Sequence, residues 1–164
     1  MKPAAGRAAA LIAELGLHPH PEGGHYGEVF RSALPVHTGD ERQGRVALTT
    51  IDFLLAAGQF SAWHRVRSDE VWHLLEGAGL RLWLAPPDLS AFTTVDLGPV
   101  AAGCRPRHVV PADWWQAAEP LDDFAYVGAT VGPGFDFADF SFGRDDAALC
   151  TALQAQGEAA RRLL

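Results

Sequence analysis

The segment from Gly58 to Gly77, GQFSAWHRVRSDEVWHLLEG, constrains the fold of this chain more than any other. It holds two runs suited to strands, Gln59 to Arg65 and Val71 to Leu75, and a glycine closes it at each end. Side chains alternate along a strand, so Glu70, Trp72 and Leu74 share one face while Val71, His73 and Leu75 take the other. An imidazole at His64 and a carboxylate at Glu70 therefore flank the turn between two strands.

The rest of the chain repeats this punctuation. Further strand candidates are Tyr26 to Arg31, Arg45 to Leu55, Leu80 to Ala85, Phe92 to Asp96, His108 to Val110, Trp115 to Ala117 and Phe124 to Val131. Many short strands at close spacing predict an all-β sandwich or barrel. Ala4 to Leu15 is rich in helix formers and stops at Gly16, and the tail from Asp145 reads as a C-terminal helix weakened at Gly157. His18 to Gly24, crowded with Pro and Gly, reads as a loop.

With 164 residues, 48% hydrophobic and 20% charged, the chain reads as a single domain over 1–164, with a barrel core at about 20–142 and helices at about 4–15 and 145–162. A net charge of −7 argues against nucleic acid as a partner, because neutralising phosphates requires clustered Lys and Arg. Lys2 is the one lysine, which removes Schiff-base chemistry from the interior of the chain. No signal-type segment and no run of about 18 apolar residues is present, so a cytoplasmic location without membrane contact is expected. Cys104 and Cys150 are too few for a disulfide framework and read as reduced thiols.

The spacing of Gly58, His64, Glu70 and Gly77 is similar to the first motif of the metal-binding cupins, in which a glycine precedes His-x-His, then a glutamate, then a closing glycine. Val66 stands where the second histidine belongs. The second cupin motif, Pro-x-Gly-x-x-His, is matched by Pro111-Ala112-Asp113-Trp114-Trp115-Gln116, with Gln116 in place of the ligand histidine. Three further stretches resemble signatures of the cupin_5 (DUF985) family: Leu17 to Tyr26, Ser68 to His73 and Val131 to Phe140. The resemblance covers roughly residues 10 to 142. It implies a double-stranded β-helix, or jelly-roll barrel, with short terminal helices, assembled as a homodimer. A more distant likeness is to the metal-free dTDP-4-dehydrorhamnose 3,5-epimerases, at the level of fold.

In that geometry His64, Val66, Glu70 and Trp72 look into the barrel. Valine has no lone pair, and one imidazole, one carboxylate and one amide make a poor site for zinc or iron, so no metal and no other cofactor is expected. His64 and Glu70 become the candidate catalytic pair, the carboxylate favouring a charged or orientated imidazole. Tyr26, Arg31, Thr50, Trp72, Trp115 and Gln116 are the candidate substrate-binding residues. Glu22 and His25 lie within the same reach, and Phe135 with Phe137 closes a barrel end or meets a partner. The expected ligand is a small polar metabolite such as a sugar, a nucleotide sugar or another carbonyl compound. A metal-independent isomerase or epimerase is the leading function. The alternatives are a ligand-binding or sensing module and a cupin oxygenase with a weakly held metal.

Overall fold

The computed structural model describes residues 4–100 and 104–164. The short strands form two facing antiparallel sheets, the jelly-roll barrel expected from the sequence. One sheet has the order β1 (His18–Pro19), β2 (His25–Arg31), β5 (Thr49–Ala56), β12 (Phe124–Gly132), β7 (Asp69–Gly77), β10 (Arg107–Val110). The other runs β13 (Phe140–Phe142), β6 (Ser61–Val66), β11 (Trp115–Pro120), β8 (Leu80–Ala85), β9 (Thr93–Leu97). A ribbon of β3 (Pro35–Val36) and β4 (Arg45–Val46) stands beside them. The chain changes sheet at each of the steps β5 to β6, β6 to β7 and β7 to β8, which wraps it around a common interior.

Strand parity sorts the apolar residues into three layers. Phe53, Leu55, Trp72, Leu80, Leu82, Leu97 and Val127 face inward and fill the barrel. Trp63, Ala85, Trp115 and Ala117 face outward from the second sheet, where helices α2 (Ala147–Leu153) and α3 (Glu158–Arg161) cover them with Leu149, Leu153 and Leu163. Helix α1 (Ala4–Leu15) lays Ala8 and Leu11 over Leu54 and Phe124 on the outside of the first sheet. Truncating a filled aromatic position such as Phe53 or Trp72 to alanine would cost about 3–5 kcal/mol. Cys104 and Cys150 are free thiols, and no helix among the described residues is long and apolar enough to cross a membrane.

The expected strand from Arg45 to Leu55 is in fact two, because Arg45–Val46 pairs with β3 while Thr49–Ala56 pairs with β2 and β12. Asp139 explains the divergence. It takes a two-pronged bond from Arg45, Nε to Oδ2 at 2.7 Å and Nη2 to Oδ1 at 2.8 Å, and so pulls β4 away from the sheet. The expected C-terminal helix is likewise divided. Asp146 caps the first part by accepting from Leu149 N, and Gly157 begins the second at φ +85°.

Candidate functional site

One end of the barrel interior is not filled. A cavity of about 360 Å³ lies there, bounded by inward residues of β2, β5, β6, β7 and β12 and by the segment around Phe135–Phe140. His64 and Val66, two apart on β6, reach it together, and Glu70 reaches it from β7.

Glu22 arrives from outside the sheets. The loop ahead of β2 doubles back so that Ala62 N donates to the Glu22 carbonyl at 2.8 Å. Gly23 makes this approach possible: its φ is +115°, and a Cβ there would stand 2.0 Å from the Phe60 carbonyl oxygen. The Glu22 carboxyl then accepts from Ser61 Oγ at 2.8 Å, and its other oxygen lies 3.3 Å from His64 Nε2.

The tautomer of His64 follows from its second contact. Nδ1 is 2.7 Å from the Ala62 carbonyl oxygen, which can only accept, so Nδ1 carries the hydrogen. In the neutral ring Nε2 is then bare. Burial holds the His64 pKa below the usual histidine value and pushes the Glu22 carboxyl above its own. Both shifts favour the uncharged pair, in which protonated Glu22 donates to His64 Nε2. His20 is neutral for the same reason, and its Nδ1 accepts the Glu22 backbone N–H at 3.1 Å.

Glu70 is 7% exposed. Its Oε2 accepts from Gln116 Nε2 at 2.6 Å, and Gln116 Oε1 accepts from Trp72 Nε1 at 2.9 Å. Burial lifts the Glu70 carboxyl to about 7, against the opposing influence of His64 and of the Gln116 bond. Its Oε1 has no hydrogen-bond partner among the described residues, which leaves that oxygen to the cavity.

Of the residues expected to bind substrate, Tyr26 and Arg31 line the cavity. Gln116 does not reach it; the amide is spent on Glu70 and Trp72. Trp72 does point into the barrel, but in the filled half, against Phe53 at 5.9 Å. Thr50 faces outward and meets Thr130 Oγ1 at 2.9 Å, while its neighbours Thr49 and Ile51 take the cavity wall. Trp115 also faces outward, under the Arg65 guanidinium and the C-terminal helices. Neighbours along a strand point opposite ways, so Trp115 and Gln116 cannot share a pocket. His64 and Glu70 share the cavity and influence each other electrostatically, as expected, but the direct contact of His64 is with Glu22 and that of Glu70 is with Gln116.

His20, Glu28, Phe135, Asp136, Phe137 and Phe140 complete the cavity. Phe140 stacks on His64 at 5.2 Å and 15°, and Phe135 meets Phe137 edge-on at 4.9 Å. Phe135 and Phe137 thus stand at the cavity mouth, which fits the first of the two roles expected for them, closing a barrel end or meeting a partner.

The Cupin_5 model, described as Cupin superfamily (DUF985), matches residues 9–143. The chain belongs to this family. A Shewanella oneidensis protein of known structure is similar at 32% identity and TM-score 0.82, covering 96% of each chain. A hypothetical protein from Leishmania major is similar at 33% identity and TM-score 0.80, over 94% of this chain and 96% of that one. Oxalate decarboxylase from Bacillus subtilis, at 15% identity and TM-score 0.56 over 77% of this chain and 30% of its own, shares the fold. No curated protein matches.

Many cupins hold a metal, and the donors here do not suit one. Val66, buried at the cavity wall, replaces an imidazole with an isopropyl group. Gln116 turns its NH₂ toward Glu70 and its oxygen toward the Trp72 indole N–H, and it does not reach the cavity. Among the described residues no three His, Cys, Asp or Glu side chains are placed to share a cation. In this Cupin_5 chain three of the positions of the metal ligands, His64, Glu70 and Gln116, are engaged by protein partners, and the fourth is Val66.

Proposed function

We propose that this cupin binds a small carbonyl metabolite in the barrel and moves a proton on the carbon next to the carbonyl, as a metal-independent isomerase or epimerase. The observation that carries the reading is the free Oε1 of Glu70, a buried carboxyl titrating near neutrality, in the same cavity as the Glu22–His64 hydrogen bond. Ionised Glu70 takes the proton, so the C–H bond breaks and its electron pair passes into the enolate. Protonated Glu22 delivers its proton to the enolate oxygen, giving up its hydrogen bond to His64 Nε2, and the carboxylate left behind keeps the hydrogen bond donated by Ser61 Oγ. Return of the Glu70 proton to the former carbonyl carbon, with the α-hydroxyl proton passing to ionised Glu22, gives an isomer. Delivery of a water-borne proton to the opposite face of the original carbon, with the enol proton returning to Glu22 and the Glu70 proton passing to water, gives an epimer.

Arg31 is the cavity's one guanidinium among the described residues, and Glu28 already holds it through Nε at 3.1 Å and Nη2 at 2.8 Å. That supports an unphosphorylated carbonyl compound over a nucleotide sugar. One observation favours a second reading, ligand binding without turnover: both nitrogens of His64 already face protein partners.

The two readings separate in deuterium oxide. Free aldoses, ketoses and α-hydroxyketones are incubated with the protein and followed by proton NMR. Enzyme-dependent loss of an α-proton signal, abolished in Glu70→Gln, supports proton transfer. A thermal shift with one of these compounds and no exchange supports the binding module.

A further inference from the structure

The charges facing the cavity do not cancel, and the imbalance bears on what fills it. Its ionisable side chains are Glu22, Glu28, Glu70 and Asp136 on the acidic side, Arg31 on the basic side, and the two imidazoles. Glu28 and Arg31 neutralise each other through two hydrogen bonds. Asp136 lies 3.8 Å from Arg45 and accepts from Ala138 N at 2.8 Å. Glu22 is engaged by Ser61 and His64. Glu70 remains. It is 7% exposed, and among the described residues it is bonded at one oxygen alone and has no Lys or Arg side chain within salt-bridge distance. An anionic ligand would meet this carboxyl with no free cation to receive it.

The walls favour the same sign of charge. Phe135, Phe137 and Phe140 stand at 4.9–6.3 Å from one another in edge-to-face contacts, with His64 stacked on Phe140 and His20 near Phe137, and Tyr26 adds a fourth ring to the cavity wall. Ring faces attract cations, most strongly where water is displaced.

We infer that the molecule bound here carries a compact organic cation, a protonated or methylated amine, with its ammonium group against the free oxygen of Glu70 and its carbon atoms against the rings of Phe135, Phe137 and Phe140. The inference rests on the reading of this cavity as the ligand site, and it names the ligand's charge class. An ammonium group supplies the partner that the buried carboxylate lacks, and it draws Glu70 into its ionised form. Burial keeps His20 and His64 uncharged, so neither imidazole repels the cation.

Isothermal titration calorimetry with a matched set tests this: choline, ethanolamine and glucosamine as amines, glucose and N-acetylglucosamine as neutral partners, gluconate as the anion. The expected result is that at least one amine binds ten or more times tighter than every neutral and anionic member. Its affinity should rise from pH 6 to pH 8 as Glu70 ionises, and below pH 7 binding should release protons, seen as different heats in buffers of different ionisation enthalpy. Glu70→Gln keeps an acceptor for Gln116 and should weaken the amine by about tenfold or more. Phe137→Leu, at a residue 54% exposed at the mouth, is a second variant with little risk to folding and should weaken the amine by a larger factor than it weakens the neutral members. If glucose or gluconate binds as tightly as the amines, or if amine affinity ignores both pH and Glu70→Gln, the charge inference is overturned and the cavity stands as a site of another class. Silence from all six overturns the inference and, with it, the reading of the cavity as a site for small polar metabolites of this size.

Discussion

His64 Nε2 lies 3.3 Å from Glu22 Oε2, although the two residues belong to different layers of the molecule, one to an inward face of the barrel and the other to a loop ahead of it. The carbonyl of Ala62 fixes the hydrogen on Nδ1, so the proton shared between the two side chains resides on Glu22. Nitrogen-15 NMR of labelled histidine should show neutral His64 as the Nδ1–H tautomer, with its protonation midpoint below that of an ordinary histidine. Glu22→Gln should keep that tautomer, since an amide NH₂ also donates to Nε2. An Nε2–H tautomer, or a midpoint above the ordinary histidine value, would contradict the assignment.

Glu70 gives the protein a distinctive dependence on pH. In the unfolded chain its carboxyl ionises near 4.5, and in the folded one at about 7. Between these values the unfolded state has lost the proton that the native state retains, so stability falls as pH rises through this window and the full cost is present above it. The loss is on the order of 3 kcal/mol. Burial raises Glu22 in the same direction. His20 and His64, whose pKa values burial lowers, act oppositely: their contribution is lost as pH falls below about 6.5. Urea unfolding of Glu70→Gln and wild type at pH 5 and pH 8 isolates the first effect. The variant should gain relative to wild type at pH 8, and an equal difference at both pH values would refute the argument.

Val66 and Gln116 separate this site from a metal centre. Gln116 sits directly opposite His64 in the β6–β11 pairing, and Val66 lies two residues along the same face. The double variant Val66→His with Gln116→His should therefore bind zinc or nickel near one ion per chain by elemental analysis after dialysis, while wild type retains far less. The exchange should also lower stability by about 1–3 kcal/mol, because the indole N–H of Trp72 loses its acceptor. Stoichiometric metal in wild type would overturn the reading of the donors.

The outer face of the six-stranded sheet bears on assembly. Phe30, Thr50, Thr130, Val71 and Val109 form one row across it, and Asp52, Gly128, His73 and Arg107 form the next. Phe30 and Val109 are about half exposed, and so is Leu75 beside Gly128. A two-fold axis along the strands between β12 and β7 would set Asp52 of one copy opposite Arg107 of the other. Light scattering should then give twice 17.6 kDa for wild type and 17.6 kDa for Phe30→Glu combined with Val109→Glu, with circular dichroism unchanged. A monomeric wild type at micromolar concentration would rule out this pairing.

Much of this architecture is legible in the sequence because strand parity is local. Asp52, lodged between Ile51 and Phe53, already marks the outward face of β5 and could have placed Thr50 there. The alternation of Trp115 with Gln116 carried the same information. Asp113, at φ +67°, holds the left-handed position that the family pattern gives to glycine, a conformation aspartate tolerates. What parity cannot supply is depth. Trp72 faces inward as expected, yet the cavity occupies one end of the barrel and the tryptophan fills the other. Nor does spacing along the chain reveal that Glu22 meets Ser61 and His64, 39 and 42 positions away, since that contact depends on how a glycine-turned loop folds back over β6.

The refusal of Gly23 to admit any side chain has a consequence for how such sites diversify. The strands supply a container whose geometry is set by pairing, while the carboxyl that meets His64 comes from the short turn between β1 and β2, bonded to β6 through Ala62 N. Alteration of that turn alone would leave the vessel standing and change the group that meets His64 Nε2 inside it.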